Sequence, residues 1–200
     1  MMLNTDDLPE TTLKNCRIFH FGTLSMTHPR IREATKAAVG IAKDAGALIS
    51  FDPNLRPPLW KSMEDAREQM AWGLSICDIL KIADNELEFF TGEIDFAKGA
   101  AKLRDIFSNI KLLNVTAGAE GSYSFYDDIT VYVPGFNLGG TIDTTGAGDT
   151  FCACVLNDVL ENGISKRDRK SLETMLKFAN AAAYLVTTKK GAIRSMPDIE

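Results

Sequence analysis

Two hundred residues are enough for one globular domain with a sizeable core. With 45% hydrophobic and 24% charged side chains, the composition excludes a disordered, coiled-coil or collagen-like chain. The net charge of −5, with the basic residues dispersed, argues against a nucleic-acid-binding face. An anionic ligand must then be held locally, by backbone amides or a few placed cations.

The opening ten residues are acidic and polar, with neither the basic region nor the apolar core of a secretion signal. Residues 17–21 read as a strand and 29–45 as a helix stopped by Gly46. Residues 47–51 read as a second strand, broken by Asp52, Pro53 and Asn54. A helix over 63–74, a strand over 78–82, a helical turn over 85–90, a helix over 96–108 and a strand over 111–116 follow. Residues 122–126 and 130–133 flank Asp127 and Asp128 in the pattern of an antiparallel hairpin. Helices are expected over 147–162 and 165–187.

This alternation predicts a single α/β domain: a mostly parallel sheet with an antiparallel edge hairpin, covered by helices on both faces. No apolar run reaches bilayer-spanning length. Cys16, Cys77, Cys152 and Cys154 show no Cys-x-x-Cys spacing, so reduced, packed thiols are expected rather than a disulfide or metal site. The expectation is a soluble, cytoplasmic protein with no nucleic-acid or membrane partner.

Parallel sheets bind ligands at the carboxyl ends of their strands. Four polar or glycine-rich segments fall there: residues 52–56, 83–88, 116–121 and 143–149. All four are expected to open on one edge. The strongest is 141–151. Gly146 and Gly148 remove side chains where a helix begins, so amides and the helix dipole can meet an anion. Asp149 falls in the first turn, where a carboxylate would repel phosphate unless it accepts a proton from an attacking hydroxyl. Taken alone, Gly-x-Gly-Asp is also what an ordinary helix start looks like.

The longer run, Asp-Thr-Thr-Gly-Ala-Gly-Asp-Thr-Phe over 143–151, resembles the C-terminal signature of the PfkB, or ribokinase-like, carbohydrate kinases. The resemblance implies a three-layer α/β/α ribokinase-like fold, ATP and magnesium as cofactors, and a sugar as substrate. It implies an anion hole at Gly146, Ala147 and Gly148, with Asp149 as the catalytic base. Asn85 and Glu88 resemble the family's Asn-x-x-Glu element, which organises magnesium through water; positions three apart share a helix face. That spacing is commonplace by itself. Thr116, Gly118 and Gly121 resemble its nucleotide loop, and Asn180 is implied near adenine. Asp143, Thr145, Val186, Gly191 and Ser195 are implied around an activating potassium ion, which not every member has. Ala153 and Cys154 depart from a pair of small residues usual in the following helix, a packing adjustment.

Residues 20–25 and 51–60 resemble the fructokinase branch in particular. There Asn54 and Arg56 are the substrate-binding candidates, and Arg56 could face a carboxylate, a phosphate or a structural acid. His20, in an apolar strand, reads as a satisfied core residue, and His28 as a helix-start residue. No P-loop, protein-kinase or dinucleotide-binding motif occurs. The family's early Gly-Gly sugar segment and β lid are not found, so the sequence reads as the C-terminal two-thirds of a kinase domain beginning at a linker-like Met1, Met2 and Leu3. Edges left by the missing strands predict self-association as a homo-oligomer. The leading expectation is ATP-dependent phosphorylation of fructose to fructose 6-phosphate. The alternatives are a non-catalytic nucleotide-binding remnant, or a 2-keto-3-deoxygluconate, ribose or nucleoside kinase of the same family.

Overall fold

A computed structural model describes residues 3–197; Met1 and Met2 of the linker-like opening lie outside the described residues. The chain forms two compact units, Met1–Leu113 and Asn114–Glu200.

In the first unit, α1 (Glu10–Asn15) precedes β1 (Ile18–Gly22), α2 (Pro29–Asp44), β2 (Leu48–Asp52), α3 (Met63–Ile76), β3 (Ile79–Ala83), α4 (Asp84–Thr91) and α5 (Phe96–Ile106). β1, β2 and β3 are parallel, with Phe21 opposite Phe51 and Phe51 opposite Leu80. Each strand enters its neighbour after a helix, the connection parallel pairing requires. α2 starts at Pro29, and its cap is His28, whose Nδ1 accepts from the Arg30 amide at 3.3 Å. Ala34, Thr35, Ala38, Val39 and Ala42 are its buried stripe, at the i, i+4 spacing of one helix face.

α1 was not expected from the sequence. Six residues hold too short a period to read, and a Lys14–Glu10 pair at 2.6 Å with buried Leu13 defines the helix instead.

β4 (Leu112–Thr116) runs across the division of the two units. The second unit continues with the antiparallel hairpin β5 (Gly121–Tyr126) and β6 (Ile129–Pro134), then α6 (Ala147–Asn162) and α7 (Arg169–Thr187). Asp127 takes a positive φ of 45° at the hairpin turn, as an Asp can. α7 starts four residues later than the sequence suggests. Asp168 caps it by accepting from the Ser171 amide at 2.8 Å, while Lys166 sits at φ 60°, outside any helix. α6 and α7 bury Phe151, Val155, Val159, Leu172, Met175, Leu176 and Ala179.

Candidate active site

The second unit holds a cavity of about 240 Å³. The β4–β5 loop contributes Thr116, Gly118, Ala119 and Gly121; the start of α6 contributes Ala147, Gly148 and Phe151; α7 contributes Asn180 and Tyr184. Thr116, Gly118 and Gly121, the loop residues expected from the sequence, thus meet Gly148 of the helix start around one space. Its surface is mainly apolar.

Two close approaches shape the walls. A Cβ on Gly121, at φ 118°, would stand 2.2 Å from the Val133 carbonyl oxygen, so only glycine lets the loop meet β6. Gly146 caps α6 in the left-handed conformation at φ 86°, and a Cβ there would lie 3.1 Å from the Ala192 Cβ.

At the start of α6 the Ala147 amide donates to the Thr144 carbonyl at 3.2 Å, and the Thr145 amide to Asp143 Oδ1 at 2.9 Å. The amides of Gly146 and Gly148 have no carbonyl partner among the described residues. Of the three amides expected in the anion hole, the middle one, Ala147, is therefore engaged by a turn in this geometry. Asp149 is exposed in the first turn of α6, next in the chain to Gly148.

Asn180 is buried and its carboxamide is engaged. Oδ1 accepts from Ser122 Oγ at 2.8 Å, and Nδ2 donates to the Val133 and Pro134 carbonyls at 3.1 and 3.2 Å. It pins α7 to both strands of the hairpin, so its contribution to the cavity is wall and shape.

Among the residues implied around potassium, Asp143, Thr145, Gly191 and Ser195 come together. Asp143 Oδ2 accepts from the Gly191 amide at 3.1 Å, and Ser195 Oγ donates to the Lys190 carbonyl at 3.0 Å. Hydrogen bonds from Thr145, and then from Gly191, hold the Asp143 carboxyl below the usual range. Val186 is buried in α7, and its carbonyl accepts from Lys189 at 3.3 Å. The group is rich in oxygen, which suits a hard cation, although the Asp143 carboxylate already serves two amides.

In the first unit, the turn after β2 and the start of α4 are brought together. Asn54 sits at φ 45°, and Arg56 is exposed with Nη1 3.2 Å from the Leu55 carbonyl. Asn85 and Glu88 are exposed together on α4, as their spacing requires. Among the described residues no group of three or more His, Cys, Asp or Glu could hold a metal ion. His20 is a correction: it is exposed on β1, with Nδ1 3.0 Å from the buried Ser50 Oγ, so it is not a core residue.

Sequence reasoning missed Phe136, Asn137, Tyr184 and Thr187 as cavity residues. Tyr184 Oη donates to the Gly139 carbonyl at 2.6 Å, and the Ile142 amide donates to the Thr187 carbonyl at 2.7 Å. These bonds fold the irregular stretch before α6 onto the end of α7, and no local pattern announces them. Unmentioned too was a buried pair, Lys81 Nζ 3.1 Å from Asp52 Oδ2.

Within the second unit, a glycine loop and the start of a glycine-capped helix thus face one mainly apolar cavity, an arrangement that suits an anionic group at the helix end. The sequence matches the profile described as pfkB family carbohydrate kinase over residues 2–199. The chain belongs to that family. It is 41% identical to fructokinase-1 of Zea mays over 197 residues, covering 98% of this chain and 60% of the relative. It is 39% identical to probable fructokinase-2 of Arabidopsis thaliana, covering 98% and 59%. Among solved structures, the fructokinase of Xylella fastidiosa with bound ATP superposes with a TM-score of 0.87 at 28% identity, covering 98% of this chain and 62% of that one. The Vibrio cholerae fructokinase with fructose, ADP and calcium gives 0.84 at 27%, covering 99% and 62%. The fold is therefore the ribokinase-like three-layer α/β/α. The chain spans about 60% of the length of the curated relatives it matches.

Proposed function

We propose that this chain carries the nucleotide-binding and phosphoryl-transfer part of an ATP-dependent sugar kinase, with fructose as the substrate and fructose 6-phosphate as the product. The observation that carries the reading is the cavity where the 116–121 loop and the start of α6 meet. ATP would lie along it, with the adenine against the apolar wall made by Phe136, Ala183 and Tyr184. The phosphates would point at the amides of Gly146 and Gly148, where the helix dipole adds positive potential. Asp149, on the first turn, would take the proton of the sugar hydroxyl as it attacks the γ-phosphorus, and the glycine amides would stabilise the charge on the transferred group. Magnesium would neutralise the phosphates, its waters oriented by Asn85 and Glu88. Asn54 and Arg56 would hold the sugar. Fructose is favoured over an acid sugar or nucleoside by the relatives' names.

A second reading, nucleotide binding without turnover, is supported by one observation: every residue that lines the cavity lies within residues 114–200. An ADP-release assay across a panel of sugars, paired with calorimetry of ATP binding, separates the two. Release with fructose supports the kinase; binding without release for any sugar supports the second reading. We place the protein in the cytoplasm, because its four cysteines are free thiols, and no helix of the described residues is long and apolar enough to cross a membrane. Exposed Leu138, Ile142 and Ile193 support self-association, which light scattering would overturn by finding a monomer.

A further inference from the structure

Glu86 is a charged side chain only 4% exposed, on the helix whose outer face carries Asn85 and Glu88. Its Oε1 accepts from the Leu55 amide at 2.6 Å and its Oε2 from the Ala83 amide at 2.9 Å. The first amide belongs to the turn after β2, and the second to the residue where β3 gives way to α4. Burial pushes the Glu86 carboxyl above its usual range, while the amides of Ala83 and Leu55 pull it back. A charge buried at such a cost is retained where both its oxygens are committed.

The other end of α4 is held as well. Arg67 donates to the Phe89 and Phe90 carbonyls at 2.6 and 2.7 Å, and Lys102 donates to the Thr91 carbonyl at 2.6 Å. A helix of eight residues is too short to keep its own orientation, so these contacts set it. On the turn side, Leu55 packs against the cluster of Met26, Trp60 and Ala66, together with Trp72.

We propose that Glu86 is a positioning residue that couples the turn carrying Asn54 and Arg56 to the α4 face carrying Asn85 and Glu88. Sugar-side and magnesium-side groups then hold one geometry through a single carboxylate. The consequence for turnover rests on the sugar-kinase reading; the coupling stands on the two hydrogen bonds.

Amide exchange, followed by NMR on the whole chain, tests it in Glu86→Gln and Glu86→Asp. In Glu86→Gln the Leu55 and Ala83 amides are expected to exchange roughly tenfold faster, while the Phe51 amide within β2 keeps its protection. Glu86→Asp, one methylene shorter, is expected to protect only one of the two. Trp60 and Trp72 are the two tryptophans of the chain, so a red shift of emission in Glu86→Gln reports displacement of the turn. Unchanged Leu55 exchange, or equal loss of protection at Phe51, overturns the coupling. In turnover assays Glu86→Gln is expected to raise the sugar KM and the magnesium requirement together, several-fold, with kcat within about threefold. A fall in kcat with both unchanged overturns the functional side. If the unaltered chain phosphorylates no sugar, the kinase reading fails, and the exchange pattern still decides the coupling.

Discussion

Asp143 and Gly191, forty-eight positions apart, are joined by a hydrogen bond from the Gly191 amide to Asp143 Oδ2 at 3.1 Å. The other carboxylate oxygen accepts from the Thr145 amide at 2.9 Å, so one side chain ties the approach to α6 to the segment after α7. Because Asp143 is held below its usual range, the order it confers is fully present above the ordinary aspartate value. It is lost only as pH falls through the depressed folded value. Nucleotide affinity and Gly191 amide protection are therefore expected to stay level down to the ordinary carboxylate range and to fall below it. In Asp143→Asn both should be weaker at neutral pH and lack that acid limb. Calorimetry and amide exchange across pH check this.

Asp149 is exposed in the first turn of α6, and in the proposed reaction it has one task, proton acceptance. Asp149→Asn keeps the shape and removes the base. Turnover is expected to fall about a hundred- to ten-thousand-fold while ATP affinity stays within about twofold. Retained ADP release in the variant would remove Asp149 from the role of base.

Gly146 is required twice over, by its φ of 86° and by its approach to Ala192. Gly146→Ala places a side chain in the left-handed region, which costs about 1–2 kcal/mol before the contact is counted. The expected result is a lower Tm and a raised KM for ATP. Gly163→Ala, at φ 75° and ψ 171° at the far end of the same helix with open space around it, supplies the control: backbone strain at least as large, with an unchanged KM. Thermal unfolding and initial rates read the two effects separately.

Asn180 fills three hydrogen-bonding positions between α7 and the hairpin. Asn180→Ala strands the Ser122 hydroxyl and leaves the Val133 and Pro134 carbonyls without this donor, at a cost of about 2–3 kcal/mol. ATP binding is expected to weaken roughly tenfold through the loosened wall. A variant that binds ATP as well as the parent, despite a lower Tm, would limit Asn180 to stability alone.

The elements readable from the chain are those whose causes are local. The bounds of α6 coincide with the expectation because Gly146 and Gly163 bracket it with the backbone freedom that helix ends need. The hairpin is likewise legible in its alternation and its Asp turn. Gly118, Gly121, Gly146 and Gly148 are visible as candidates because glycine where a strand or helix ends has a local reason to be there. α7 was misread at its start, since Ser165 and Asp168 both look like caps and only the positive φ of Lys166 separates them.

What tertiary structure alone decided is the use each side chain makes of its partners. Asn180 resembles a nucleotide contact in sequence, yet partners 46 to 58 positions away take its carboxamide. Glu86, lying between the noticed Asn85 and Glu88, looks like one more surface acid until the Leu55 amide, 31 positions back, is seen to need it. His20 lies in an apolar strand, but β1 is an edge of its unit and leaves it exposed. The sequence by itself determined the family, the order of the main strands and helices, and the glycines at the loop and at the start of α6, because each rests on patterns within a few residues. Which polar groups remain to meet a ligand, and which are consumed in holding the walls, was decided only by folding. Hydrogen-bond capacity is spent on whichever group the fold brings within about 3 Å, and chain distance plays no part in that.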